Sequence, residues 1–495
     1  MEQEGREVEQ PKEKQFIVKI LLVNMPRDGE VKDVATPDYL LYDFMNYPPL
    51  GILAVAAGVD PKHDLQILDS PTRNMNIEDI VAHVKNVKPD ILGLSVVTRR
   101  LYPMFAISKA IKEQMPGIRI VVGGPHVNVC AMETMELGTV DFVLPGYGEK
   151  KFQLLLEALE NGAENGPLME NIPGLLYRVN GRIKANPPAE ISTNLDDLPF
   201  PNRKLINLDD YFSAADKLRM TTMYTSRGCP FRCVFCDVGE KTFRFRSPER
   251  IVDEFESIAA LGIQEIHIFD DTFNVNRQRV IDMCREIIRR GLKISWSARA
   301  RVVPMDREMI SIMKQAGCRR LHVGVEAFDD YILKSIKKNI TLEQIYSFFA
   351  LCNEFKIDTL AYFIVGFPQE TEEYHKSLFE RLKKLNATYL YLNILYPTAK
   401  SELYHDMLKQ GVYDKDYWQE FVTNPVPDFE LPLCRTPELQ QRLMDLVDDI
   451  HRRFYLSPKF ILNDLRRNPN LKMLGKKAKI AVKLFMSTVF SRKAS

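Results

Sequence analysis

Three cysteines stand within eight residues, in the run Arg227-Gly228-Cys229-Pro230-Phe231-Arg232-Cys233-Val234-Phe235-Cys236. At spacings of four and three residues, three thiolates can wrap one face of a compact metal centre. A structural zinc site closes its shell with four ligands, and no histidine or fourth cysteine follows within the next twenty residues. Three ligands leave one coordination position free, as a reactive metal centre requires. The plain alternative is coincidence or a zinc knuckle. The other five cysteines, Cys130, Cys284, Cys318, Cys352 and Cys434, are scattered and read as small apolar residues. A long chain whose polar, acidic start is no signal peptide points to a reducing compartment, where disulfides are rare.

The trio directly follows a strand, TTMYTS (221–226), which opens an alternating series. Helices are predicted at 248–261, 276–290, 305–316, 329–355 and 370–384, and strands at 263–270, 292–299, 319–326, 358–366 and 387–396. Ser247 and Pro248 fit the N-cap and first position of the helix at 248. Six strand–helix repeats are the size of a partial (β/α) barrel, in which chemistry sits on loops at the carboxyl ends of the strands. Those ends carry Asp270 and Asp271, then Arg299 and Arg301, then Gly324-Val325-Glu326, then Gly366-Phe367-Pro368. A glutamate closing an apolar strand is costly unless it has partners. The aspartate pair reads equally as a helix N-cap, and the GFP run as a plain turn.

An earlier alternating series runs from Phe16 to about residue 161, with strands at 16–24, 65–69, 91–97, 118–124 and 140–144. It implies a parallel sheet with helices on both faces. Ser95 and Thr98 close its third strand, Gly123, Gly124 and His126 its fourth, and Gly146, Gly148 and Glu149 follow its fifth. Ligands bind such sheets outside the carboxyl ends of the strands, and three loops of small or polar residues on one edge point to a ligand site. The first strand lacks GxGxxG, so the site is not a dinucleotide fold. Asn180-Gly181 between short strands is a hairpin signal. Residues 1–15 read as a disordered tail, 166–215 as hairpin and linker, and 401–495 as a helical region.

The composition is that of a globular chain: 495 residues, 45% apolar and 27% charged. A net charge of +1 argues against a nucleic-acid binder. No apolar run is long enough to span a membrane. Residues 452–467 and 471–487 mix basic and apolar side chains. They read either as cover for the barrel or as a peripheral membrane contact.

Cys-x3-Cys-x2-Cys on the loop after the first strand of a partial barrel resembles the signature of radical S-adenosylmethionine (SAM) enzymes. The preceding sheet, with GGPH (123–126) and GYGE (146–149) at its loops, resembles the cobalamin-binding subclass, whose usual loops are GGxH and GEGE; Tyr147 departs from the acidic form. The resemblance implies an α/β chain with a Rossmann-like cobalamin-binding domain (16–165), a (β/α)6 barrel (216–400) and a helical C-terminal region. It implies three cofactors: a 4Fe–4S cluster on Cys229, Cys233 and Cys236, SAM, and cobalamin. Phe235 would lie near the adenine of SAM, with Gly366 allowing close approach. Asp270 and Asp271 would meet its amino group, Arg299 or Arg301 its carboxylate, and Glu326 its ribose. Ser95, Thr98, Gly123, Gly124, His126, Gly146, Gly148 and Glu149 would line the corrin. No Asp-x-His-x-x-Gly pattern supplies a lower ligand, so the lower face of cobalamin is expected to be open or shielded by apolar side chains.

The implied activity is cobalamin-dependent radical methylation of an unactivated carbon in an apolar small molecule, a tetrapyrrole first and a hopanoid or isoprenoid lipid second. The electron donor would be a flavodoxin or ferredoxin type, in the cytoplasm or at a membrane surface. Ring closure or oxidation of a tetrapyrrole without methyl transfer is the second reading. A non-catalytic iron–sulfur or cobalamin sensor is the third, and no output module is evident.

Overall fold

Short strands buried on both faces need helices above and below them, and the chain supplies two such sets. The computed structural model describes residues 17–32, 47–162, 166–188, 194–212, 218–433 and 436–467. The expected tail (1–15), Cys434 and the basic run 471–487 lie outside them. The first set is β1 (Lys19–Asn24), β2 (Asp64–Asp69), β3 (Ile91–Ser95), β4 (Arg119–Gly123) and β5 (Phe142–Val143), followed by β6 (Leu176–Val179) and β7 (Arg182–Ala185). They form one sheet in the order 2-1-3-4-5-6-7, parallel as far as β5 and antiparallel beyond. The predicted hairpin therefore extends the sheet from five strands to seven. Asn180 and Gly181 both have positive φ, 50° and 78°, as a two-residue hairpin turn needs. Helices Leu50–Ala57 and Gly148–Glu160 cover one face, and Ile77–Val87 and Leu101–Gln114 the other.

The second set is β8 (Met220–Met223), a small ribbon of β9 (Ser226–Arg227) and β10 (Arg244–Phe245), then β11 (Glu265–Ile268), β12 (Ser295–Ala300), β13 (Cys318–Glu326), β14 (Asp358–Val365) and β15 (Tyr389–Ile394). Apart from the ribbon, these strands pair in parallel in chain order, giving the expected six-stranded partial barrel. Ser247 caps the helix Pro248–Ala259, accepting from Arg250 N at 3.2 Å. The linker is not merely laid on a surface, because buried Arg203 donates to Glu254 at 2.6 Å, and Glu254 also pairs with Arg246.

The C-terminal region is divided between both cores. Tyr404, Met407, Trp418 and Phe421 pack with the first sheet, whereas Leu443, Val447 and Ile450 of the helix Pro437–Tyr455 pack with the barrel. That helix runs along β15, the outermost strand, and occupies its free backbone groups. Leu392 N donates to His451 Nε2 at 3.1 Å, Leu390 N donates to Tyr455 Oη at 3.1 Å, and the Tyr455 hydroxyl donates to Leu390 O. Of 452–467, Phe454 and Tyr455 pack on the barrel, whereas Ile461, Leu462 and Leu465 of the helix Pro458–Arg467 are exposed. No helix among the described residues is long and apolar enough to cross a membrane.

Burial pushes the pKa of His451 down to about 4 and, with Lys400 as a second cause, that of His126 to about 4 as well. An unfolded histidine titrates near 6.5, so below that pH the unfolded chain takes up protons that the folded chain refuses. The stability these two groups contribute is fully present above about pH 6.5 and is lost as the pH falls towards 4, by about 3 kcal/mol for each group. Urea unfolding at pH 7 and pH 4.5 is expected to show this loss. His451→Gln keeps an acceptor for Leu392 N and is expected to reduce it; an unchanged loss would exclude His451 as a contributor.

Candidate active site

The loop after β8 is shaped before its first cysteine. Asp270, just after β11, is fully buried. It accepts from Thr225 N (2.7 Å), the Thr225 hydroxyl, Ser226 N (3.0 Å) and the Ser226 hydroxyl (2.6 Å). Arg279, also buried, stands 3.8 Å away and donates to Thr225 O and Phe273 O. A carboxylate offers about four acceptor sites, and here the protein fills them. This corrects the expectation that Asp270 meets the amino group of SAM: it has no oxygen left to do so, and it instead fixes the chain entering the cysteine loop.

Asp271 does face that loop, accepting from Gly228 N at 3.2 Å. Partial desolvation raises its pKa against the opposing Gly228 N–H, Arg299 and Arg227, while the side chain itself stays exposed and open to a cationic ligand. Gly228 has φ +80°, and a Cβ there would lie 2.2 Å from Thr242 O, so only glycine passes. Cys229 N donates to Glu240 O (3.0 Å), Val234 N to Ile336 O (3.2 Å) and Leu403 N to Val234 O (2.9 Å). The loop is thus held by its own ribbon, by the segment after β13 and by the C-terminal region. All three thiols are free and half-buried. Cys229 Sγ lies 3.3 Å from Thr272 Oγ1 and Cys233 Sγ 3.7 Å from Arg301 Nη1, while burial raises the pKa of Cys236. Among the described residues no three His, Cys, Asp or Glu side chains converge on one ion. An iron–sulfur cluster asks instead for thiolates on separate irons, and hence for a wider spread.

The remaining barrel candidates separate. Arg301 is tied to the cysteine loop, with its guanidinium 3.8 Å over the Phe231 ring and bonded to Lys338 O. Arg299 is exposed, 3.5 Å over Phe269, and is the arginine open to a ligand. Glu326 has φ +72° and forms a buried pair with Lys338 at 2.8 Å. The carboxylate lies over Gly324, where a Cβ would be 2.2 Å from its oxygen. Phe235 and Phe367 approach to 6.1 Å between ring centroids, so the cysteine loop meets the loop after β14. Gly366 itself faces Leu443, 3.1 Å from where its Cβ would be. The space its missing side chain leaves is therefore taken by protein, which corrects the expectation that it receives the adenine.

The barrel lumen is polar, whereas barrel interiors are usually filled by branched apolar residues. Trp296, Ala298 and Ala300 join the outer core, which turns Ser297 and Arg299 inward. His267 and His322 stand 4.6 Å apart. His267 bonds Ser297 at 2.7 Å, and His322 bonds Tyr362 at 3.1 Å. Burial holds both imidazoles well below the usual histidine range. Tyr47, from the first domain, enters the lumen and stacks 5.3 Å from His267. The alternation in EIHI and RLHVG marks both histidines as inward-facing, yet neither was singled out in the sequence.

On the first sheet, the ends of β3, β4 and β5 lie side by side, as expected. Gly123 has only Leu144 O, at 3.8 Å, near its missing Cβ, leaving open space above the strand. Gly124 (φ +100°) packs on the Val96 backbone and the Ser95 hydroxyl, and Gly148 on Val55. Gly146 N donates to Asn128 Oδ1 at 2.6 Å. Thr98 and His126 bond each other at 3.1 Å, and His126 is fully buried. His126 is thereby withdrawn from the open edge, which corrects its expected contact with the corrin, while Thr98 stays partly exposed there. Glu149 instead reaches the barrel: it pairs with Arg227, two residues before Cys229, and both are buried. Tyr147 stacks on the same guanidinium, 4.2 Å from ring to Cζ. The loop of the first sheet and the cysteine loop are therefore in direct contact. Sequence reading missed Arg227 and Lys338, since nothing local marks a partner 78 or 12 residues away.

Residues 223–382 match the radical SAM superfamily and residues 44–156 the B12-binding domain. Over 455 residues the chain is 32% identical to the uncharacterized methyltransferase PH0819 of Pyrococcus horikoshii, covering 91% of this chain and 95% of that one. The chain belongs to the cobalamin-dependent radical SAM methyltransferase family. It is also 25% identical to the anaerobic magnesium-protoporphyrin IX monomethyl ester cyclase of Rubrivivax gelatinosus, across 90% of this chain and 80% of that protein. The fold matches the radical SAM methyltransferase TsrM of Kitasatospora setae, with a TM-score of 0.64 at 20% identity, covering 80% of this chain and 78% of that one. Enzymes of this family use a 4Fe–4S cluster, SAM and cobalamin. The donor set fits all three: three free thiols on one loop, an exposed carboxylate and an exposed arginine at the adjoining strand ends, and a glycine-lined edge on the first sheet.

Proposed function

We propose that this protein methylates an unactivated carbon of an apolar small molecule. The contact between the loop after β5 and the cysteine loop, through Glu149 and Arg227, carries this reading, because it brings the two loops expected to hold the cofactors together. When bound, the cluster supplies the electron that cleaves SAM for hydrogen abstraction, and cobalamin supplies the methyl group. In this reading Cys229, Cys233 and Cys236 hold the cluster, Asp271 takes the amino group of SAM and Arg299 its carboxylate. Phe235 flanks the adenine, and Glu326 lies towards the ribose. Ser95, Gly123 and Gly146 line the corrin edge, and no described histidine serves as its lower ligand.

Tyr224, Phe269 and Tyr362, all partly exposed around Arg299, offer ring faces to a flat apolar substrate. A tetrapyrrole is the first choice. A hopanoid or isoprenoid is the second; the hopanoid C-3 methylase of Methylococcus capsulatus is 26% identical over 62% of this chain and 59% of that protein. A flavodoxin or ferredoxin type of protein would deliver the electron.

The test is anaerobic reconstitution with both cofactors, a reductant and candidate tetrapyrroles or lipids. Methylated product with accompanying 5′-deoxyadenosine is expected. Methylated product without deoxyadenosine would sink the reading. The resemblance to the cyclases favours a second one, and a product with a new ring and no added methyl group would establish it instead.

A further inference from the structure

Arg227 belongs to the barrel by sequence and to the first sheet by contact. Its Nη2 pairs with Glu149 Oε1, and its planar face lies against Tyr147 at 4.2 Å and Tyr224 at 5.4 Å. Glu149 is itself fixed, because the helix Leu50–Ala57 ends at Gly58, where a Cβ would lie 2.3 Å from Glu149 O. On the other side, the residue after Arg227 is Gly228, whose N–H is held by Asp271. One short chain of contacts therefore runs from the loop after β5, through the guanidinium, to the carboxylate beside the cysteines. The guanidinium is not fully satisfied: Nη1 is buried with no acceptor, and a buried, unanswered donor is unfavourable.

We propose that Arg227 is a positioning residue that couples the two cofactor sites. Cobalamin seated on the strand edge brings the acceptor that Nη1 lacks, and the completed contact fixes Gly228 and Asp271 in the pose that receives SAM. The inference rests on the cofactors alone and is independent of the substrate. Because coupling is reciprocal, it is measurable from the SAM side.

Anaerobically reconstituted full-length protein is titrated with SAM, read by the change in the EPR spectrum of the reduced cluster, with and without saturating hydroxocobalamin. In the wild type, cobalamin is expected to tighten SAM binding at least about fivefold, the lower end of typical couplings. Glu149→Gln keeps the shape and removes the charge. It is expected to bring that ratio close to one with iron content unchanged, at a lower melting temperature because a buried guanidinium loses its counter-charge. Arg227→Lys, which keeps the charge but loses the planar fork, is expected to do the same; should it fail to fold, Glu149→Gln decides. The proposal is overturned by a ratio of one in the wild type, or by a wild-type ratio in Glu149→Gln. It is also overturned if Glu149→Gln loses iron, since the pair would then be only a brace.

Discussion

Cys233→Ala, purified without air and reconstituted with iron and sulfide, is expected to hold little iron and to show no EPR signal from a reduced cluster, with activity at background. The half-buried thiol of Cys233 sits on a loop clamped from three sides, 3.7 Å from the Arg301 guanidinium. The described cysteines outside the loop, Cys130, Cys284, Cys318 and Cys352, are buried in the two cores. The informative control is Cys352→Ala. That thiol is fully buried in the barrel core, away from the cysteine loop, and burial raises its pKa. Its loss should cost stability, by about 1–2 kcal/mol as for a small cavity, and leave iron content unchanged. If Cys233→Ala keeps its brown colour and full iron content, the cluster is not where this loop places it.

Asp270→Ala is expected to destabilise the fold by about 3–5 kcal/mol, the usual result of stripping one partner from a buried charge. It leaves Arg279 without its carboxylate and four donors without an acceptor. Its neighbour should behave in the opposite way. Asp271→Asn changes an exposed side chain, so stability is expected to hold while SAM affinity falls at least tenfold if the proposed charge-assisted contact is lost. Chemical denaturation and SAM titration on both variants give a crossed pattern. Should Asp270→Asn keep its stability and lose SAM binding, the two roles are reversed.

The crossed pattern also shows where sequence reading stops. The strands, the cap at Ser247, the Asn180-Gly181 turn and the cysteine loop were legible because each is written in neighbouring residues: a period, a cap type, a spacing. Asp270 and Asp271 are adjacent and chemically identical, so no local pattern can say that one faces Thr225 and Ser226 and the other Gly228. His126 looked available on a strand edge, because its bond to Thr98 is set by two loops 28 residues apart. Arg227 was read as a flank of the cysteine motif. Its buried carboxylate partner comes from another domain, and charge pairing over that distance has no sequence signature. The division of the C-terminal region between two cores was hidden for the same reason: its amphipathic helices announce an apolar face but not what covers it.

An incomplete barrel has two rims, and an exposed rim of backbone N–H and C=O groups is a template for strands of other molecules. At β15 the side chains of His451 and Tyr455 stand where a foreign strand would dock. Protonating His451 turns its acceptor nitrogen into a donor pointed at another donor, Leu392 N, and the guard must withdraw. Acid should therefore drive self-association before it melts the helices, with light scattering rising while far-ultraviolet circular dichroism is still that of the native protein.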